Sequence, residues 1–297
     1  MSNIRSDLPR HFRAPVYIEN SEWLFNQAKS QAGQDLFVVA MTQGKENGTW
    51  LEIGCAWPIT SNNTYLLEKK FGWSGISIDL QCMDANIITP YEEYWNRFYH
   101  KIKRFNWPSE PVSLNDVPDK DWVLSIPYYQ NFIARQTSDI DHLPKSERNW
   151  HSCRPRTVFY QADALTFDYT NIPSYFDYLQ IDIHPSLSNL AVLDILLPTH
   201  TFAIITFEHD VWDHSQESAE VRFKSRQKLR QYGYQMVVSD ASVPPGQGCG
   251  IGDEPINFED WWINPSYISE SVWGLYQNLQ DYSDGKYYHH LLFQESQ

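Results

Sequence analysis

Residues 49–80 read TWLEIGCAWPITSNNTYLLEKKFGWSGISIDL, and their order decides the fold. TWLEIG is a short β-branched and aromatic run closed by an acid, Glu52, and a glycine, Gly54. NNTYLLEKKF carries Leu67 and Phe71 four residues apart, the spacing of one helical face. GISIDL is a second apolar run, with Asp79 near its end. Strand, glycine turn, helix and strand make one βαβ unit, whose two strands run parallel. The turn lacks the second glycine usual in such loops, and Pro58 stands about where it would fall. Proline forbids positive φ and removes a donor, so the chain past Trp57-Pro58 is expected to take a different path.

The same alternation continues downstream. Thr157–Asp163, Asp177–Ile183 and Phe202–His209 are nearly continuous apolar runs, as strands buried on both faces require. Ser186–Leu197 spaces Leu190, Leu193 and Leu197 by three and four, and Glu217–Tyr232 is a further helix closed by Gly233. Tyr234–Ser239 and Ile256–Ile263 follow, joined by PPGQGCGIGDEP with no helix between them, which predicts an antiparallel pair. The expected fold is α/β: a Rossmann-like, doubly wound, mostly parallel seven-stranded sheet with a C-terminal antiparallel hairpin. Residues 1–28 read as an N-terminal arm, 29–263 as the domain, and 264–297 as a C-terminal extension packed on it. Residues from about 84 to 152 read as an insertion between the second and third strands, partly helical around Tyr91–Arg104. It would serve as a substrate lid or as an oligomer contact.

Composition narrows the function classes. Of 297 residues, 42% are hydrophobic and 15% aromatic, enough for a real core rather than disorder. A net charge of −14 leaves no basic footprint for a nucleic-acid partner and disfavours anionic membranes. The basic run VRFKSRQKLR, ending at Arg230, reads as a solvated helix face. Cys55, Cys82, Cys153 and Cys249 are too scattered for a zinc site or a disulfide framework. MSNIRSDLPRHFR has no apolar leader and no run reaches membrane-span length, so a cytoplasmic protein is expected.

In open α/β sheets, ligands bind beyond the carboxyl ends of the strands. The strand-end residues here are Glu52, Gly54, Asp79, Asp163, Asp182, Glu208, His209 and Asp210. So many acids disfavour a polyphosphate, and neither GxGxxG after the first strand nor GxxxxGK[ST] is present. A cation with hydroxyls fits better. Asp79 can take two ribose hydroxyls, Asp163-Ala164 can meet an adenine amino group, and the helix start at Asn62–Thr64 can receive a carboxylate. Adenine, ribose, a positive centre and an amino-acid tail together describe S-adenosylmethionine. Each acid taken singly is as well explained as a turn former; four of them at four strand ends favour a site.

At these positions the chain resembles the FkbM-type methyltransferases, a class I S-adenosylmethionine-dependent family. The resemblance rests on SQAGQD at 30–35, LEIGCAWPITSNNTYLLEKKFGWSGISIDL at 51–80, VFYQADAL at 158–165, FDYLQIDI at 176–183, FAIITFEHD and the later FEDWW. It covers most of the chain outside 84–152 and the two ends. It implies that Glu52 and Gly54 shape the cofactor loop, that Asn63 and Thr64 lie near the methionine end, and that Asp79 holds the ribose. It further implies Asp163 and Ala164 beside adenine, Asp182 close to the sulfonium, and Gln34 and Asp35 in an element closing the cofactor site. Where the family has Asp-Gly, this chain has Trp57-Pro58.

Methyl transfer to a hydroxyl requires a base that acts as the bond forms, since the hydroxyl titrates far above histidine's ~6.5. His209 is the first candidate and His184 the second. Mg²⁺ held by Asp182, Glu208, His209 and Asp210 would be another way to activate the acceptor. The expected acceptor is a hydroxyl on a sugar, glycan or secondary metabolite. The competing expectation is a non-catalytic methyltransferase-fold interaction protein with a weakened cofactor loop; a nicotinamide oxidoreductase is disfavoured by the missing glycine fingerprint.

Overall fold

The computed structural model describes residues 28–30, 32–59, 62–80, 154–243 and 256–276. The expected arm apart from residue 28, the whole insertion at 84–152 with its helix around 91–104, and residues 277–297 of the C-terminal extension lie outside these residues.

The strands are β1 (Thr49–Ile53), β2 (Ser74–Asp79), β3 (Thr157–Gln161), β4 (Tyr175–Ile181), β5 (Thr201–Glu208), β6 (Gln235–Val243) and β7 (Ile256–Ile263). The helices are α1 (Gln34–Met41), α2 (Tyr65–Phe71), α3 (Ser186–Leu196), α4 (Gln216–Gln231) and α5 (Glu270–Trp273). One seven-stranded sheet runs in the order β3-β2-β1-β4-β5-β7-β6. The first five strands are parallel, and β7 is antiparallel to both β5 and β6. This is the class I methyltransferase, Rossmann-like topology that the sequence predicts.

Alternation along each strand divides the core. Trp50 on β1, Tyr178 on β4, Ile204 on β5 and Trp261 on β7 face the layer that holds Phe37 of α1 and Leu67 of α2. Their neighbours Leu51, Leu179, Ile205 and Trp262 face Leu193 of α3 and Val221 and Leu229 of α4. Both faces are covered, which is why the strands read as unbroken apolar runs. Burying each of Trp50, Trp261 and Trp262 completely contributes roughly 2–3 kcal/mol.

Helix α4 begins where the Ser215 hydroxyl accepts from the Ser218 N–H and ends at Gly233, whose φ of 82° is the left-handed turn expected of a C-terminal cap. Helix α1 has no counterpart in the sequence reading, because QDLFVVAM is buried along its whole length and shows no polar face. Beyond β7, Val272, Trp273 and Tyr276 join the α1 layer.

Candidate functional site

Strand order sets the site. It reverses direction between β1 and β4, and loops at such a point diverge to leave a crevice. The loop after β1 turns there. Gly54 has φ 80°, and a Cβ placed on it would lie 1.6 Å from the Asp182 carbonyl oxygen, so only glycine passes. Ala56 also takes a positive φ, 44°, although it is not glycine. The sequence reading looked for the missing glycine at Pro58. The structure puts the second left-handed step at Ala56, where a methyl is tolerated with strain.

Asp79, ending β2, accepts the Ala56 N–H at 2.8 Å and so braces this step. Beside it Leu80 is 64% exposed, and across the β2–β3 edge Leu165 is 41% exposed. Asp163 makes a local turn, its Oδ1 accepting from Leu165 N at 2.9 Å, while Ala164 is buried with its carbonyl bonded to the Tyr169 hydroxyl.

Glu52 and Thr64 lie deeper than expected. Glu52 is fully buried and accepts from Ser77 at 2.7 Å and Thr64 at 3.0 Å. Burial pushes its carboxyl up, against the nearby Arg154 charge. Thr64 also bonds Asn62 and Arg154. The Thr64 N–H, expected to be open to a ligand, is taken by Asn62 Oδ1 at 3.1 Å, as is the neighbouring Tyr65 N–H at 2.8 Å. The buried Oδ1 of Asn63 has no hydrogen-bond partner.

The SQAGQD element closes on itself. Asp35, wholly buried, accepts from Lys29 N, the Ser30 hydroxyl and Leu36 N. Burial pushes the Lys29 ammonium down to about 7, the Asp35 charge opposing. Gln34 accepts from Ala32 N through Oε1 and meets Glu259 of β7.

The acids beyond β4 and β5 form a carboxyl pair. Asp182 and Glu208 are hydrogen-bonded to each other. Burial raises both, and the charges of Asp182 and Asp210 push Glu208 further above the ordinary range. Asp210 accepts from the Ser186 hydroxyl at 2.9 Å and Trp212 Nε1 at 3.0 Å. His184 stands in solvent with its Nδ1 3.9 Å from Asp210 Oδ2, its side chain 87% exposed, and a cis peptide joins it to Pro185.

His209 corrects two expectations. Its side chain is fully buried and turned away from this rim. Nδ1 accepts from Val211 N at 3.3 Å, and Nε2 lies 3.5 Å from Asp240 and 3.6 Å from Asp260. The reason is pairing: β7 and the bulged β6 bring Asp260 and Asp240 under His209, while α4 supplies Arg222 and Arg226 to the same carboxylates. His209 is therefore not placed as a base. Nor does it join Asp182, Glu208 and Asp210 as an Mg²⁺ ligand. Among the described residues, the side chains whose ligand atoms converge within 4.8 Å are His209, Asp240 and Asp260. Arg226 already donates to both of those carboxylates, which fills their demand for a cation. Neither set fits a metal.

Sequence reasoning missed Arg154, Ala56 and Glu259, and read Asn62 as part of an open helix start rather than as its cap. No motif marks a lone arginine or alanine; the only available signal was Arg154 standing just before the third strand.

No protein-family model matches the sequence, and no curated protein does. Solved structures are similar at low identity. An O-methyltransferase from Bacillus cereus in complex with SAH shares 14% identity over 86% of this chain and 84% of its own, at a TM-score of 0.38. An rRNA methylase from Streptococcus thermophilus shares 9% over 77% and 94%, at 0.36. The precorrin-6y C5,15-methyltransferase from Geobacter metallireducens shares 10% over 80% and 88%, at 0.38. The fold assignment rests on this chain's own strand order and register. Among the described residues, no helix is long and apolar enough to cross a membrane.

Proposed function

We propose that the protein is an S-adenosylmethionine-dependent methyltransferase acting on a hydroxyl of a sugar, glycan or secondary metabolite, as its FkbM-like motifs suggest. The observation that carries the reading is the β1 loop at the point where strand order reverses. Gly54 passes against the Asp182 carbonyl and Ala56 is tied to Asp79, which leaves a backbone cradle beside a strand-end acid. The residues present fit the cofactor. Asp79 would hold the ribose, and Leu80 and Leu165, both exposed, would flank the adenine beside Asp163 and Ala164. The unpartnered Asn63 Oδ1 would accept from the amino end of the methionine moiety, while Asp182 and Glu208 supply negative charge to a sulfonium.

When bound, the cofactor supplies an activated methyl on a good leaving group; the protein has to orient the acceptor and take its proton. His184, exposed on the rim beside Asp210, would take it. Asp210, fixed by Ser186 and Trp212, would orient that imidazole.

Isothermal calorimetry with S-adenosylmethionine and S-adenosylhomocysteine tests the reading. Binding of both supports it. Absence of heat and of any thermal shift at millimolar ligand would leave the non-catalytic interaction protein, which the engagement of the Thr64 and Tyr65 N–H groups by Asn62 favours.

A further inference from the structure

Arg154 is fully buried, and its guanidinium reaches Pro58, Asn62 and Thr64 of the loop after β1. Nε donates to Glu68 Oε2 of α2 at 2.6 Å. Nη1 donates to the Pro58 carbonyl and to Asn62 Oδ1, both at 2.8 Å, and Nη2 donates to Thr64 Oγ1 at 2.8 Å. Its Cζ lies 5.6 Å from the Trp50 ring centroid and 5.7 Å from that of Tyr65. Asn62 Oδ1 is the same atom that caps α2, and Thr64 is the hydroxyl that bonds Glu52.

A buried cation is costly unless its charge and donors are matched, and here Glu68 supplies the charge while four oxygens take four of the five N–H donors. A structural ion pair needs only Glu68. The further bonds go to a loop carbonyl and to the two residues that start α2. This loop has one glycine where such turns usually have two, and its proline offers no N–H, so its shape has to be imposed from outside. A planar fork with several fixed donors can impose it, and a point charge on a flexible stem cannot.

We propose that Arg154 is the positioning residue of the cofactor loop: anchored on Glu68, it fixes the Pro58 carbonyl and the Asn62 cap so that residues 54–59 and 62–64 hold the shape that receives S-adenosylmethionine. The inference rests on the function proposed above. Arg154→Lys tests it, because it keeps the charge facing Glu52 and Glu68 while removing the fork. The expected result is a Kd for S-adenosylhomocysteine raised about tenfold, the loss of one hydrogen bond to a charged group, with the unfolding midpoint of the ligand-free chain changed much less. A lowered midpoint with unchanged Kd for the folded chain would overturn the proposal.

A second measurement uses the native chain and does not depend on the variant folding. The Arg154 Nε–H resonance, set apart by the ring currents of Trp50 and Tyr65, is expected to move on titration with S-adenosylhomocysteine, following the calorimetric Kd. A resonance that stays fixed while ligand binds overturns the proposal and leaves the methyltransferase reading intact. A native chain that binds neither cofactor form sinks both.

Discussion

The Cα of Gly54 and the carbonyl oxygen of Asp182 pass so closely that a Cβ on residue 54 would lie 1.6 Å from that oxygen. The loop after β1 and the end of β4 are thus fitted to each other at backbone level, and the Gly54 N–H is spent on the Ile78 carbonyl of β2. Gly54→Ala adds a methyl where there is no room and forces it into the left-handed region. The expected cost is about 2–5 kcal/mol from overpacking and φ strain together. Urea denaturation measures it; an unchanged midpoint would mean that the two strand ends separate freely, and the fitted crevice would be lost as an argument.

Asp79 has two tasks in the proposed site, bracing Ala56 and receiving the ribose. Asp79→Ala removes both and is expected to raise the Kd for S-adenosylhomocysteine by roughly ten- to hundredfold, the worth of one or two bonds to a carboxylate. Calorimetry on the folded variant decides. Affinity equal to the parent's would remove Asp79 from the ribose role.

Much of this was legible in the sequence because parallel strands buried on both faces announce themselves as apolar runs, and each ends where an acid or glycine interrupts it. TWLEIG, GISIDL and DYLQIDI all appear as strands with ends close to those read. What sequence could not give was side-chain direction beyond a strand's end. His209 follows Glu208 immediately, yet Glu208 meets Asp182 while His209 meets Asp240 and Asp260, because neighbouring residues point to opposite sides. Asp240 and Asp260 arrive through the β6–β7 pairing, a contact with no local signature. Helix α1 was missed for a related reason: full burial erases the period on which a helix is recognised.

The two histidines should behave oppositely. His209→Ala empties a buried position against Asp240 and Asp260 and is expected to cost about 1–3 kcal/mol of stability, with little change in cofactor affinity. His184→Ala, at an exposed position, should leave the melting temperature nearly unchanged while methyl transfer to an accepted hydroxyl substrate falls by roughly 10²–10⁴-fold. Thermal melts paired with S-adenosylhomocysteine release check both. A His209 variant that is stable but inactive would restore the sequence-based assignment.

The Asp182–Glu208 pair gives the fold a pH dependence with a definite sign. Burial raises both carboxyls, and neighbouring negative charge raises Glu208 further, so the folded chain binds their protons more tightly than the unfolded chain does. Their stabilising share is complete below the unfolded carboxylate value of about 4, and it is lost as pH rises through the elevated folded values. Glu208→Gln keeps a hydrogen-bonding side chain that cannot ionise. Its stability relative to the parent should therefore increase as pH rises above about 4. A bound sulfonium would oppose the loss by favouring the ionised pair, whereas S-adenosylhomocysteine carries no such charge. The affinity ratio of S-adenosylmethionine to S-adenosylhomocysteine should thus climb with pH in the parent and flatten in Glu208→Gln. A ratio equally flat in both would show that the pair does not face the cofactor's charged centre.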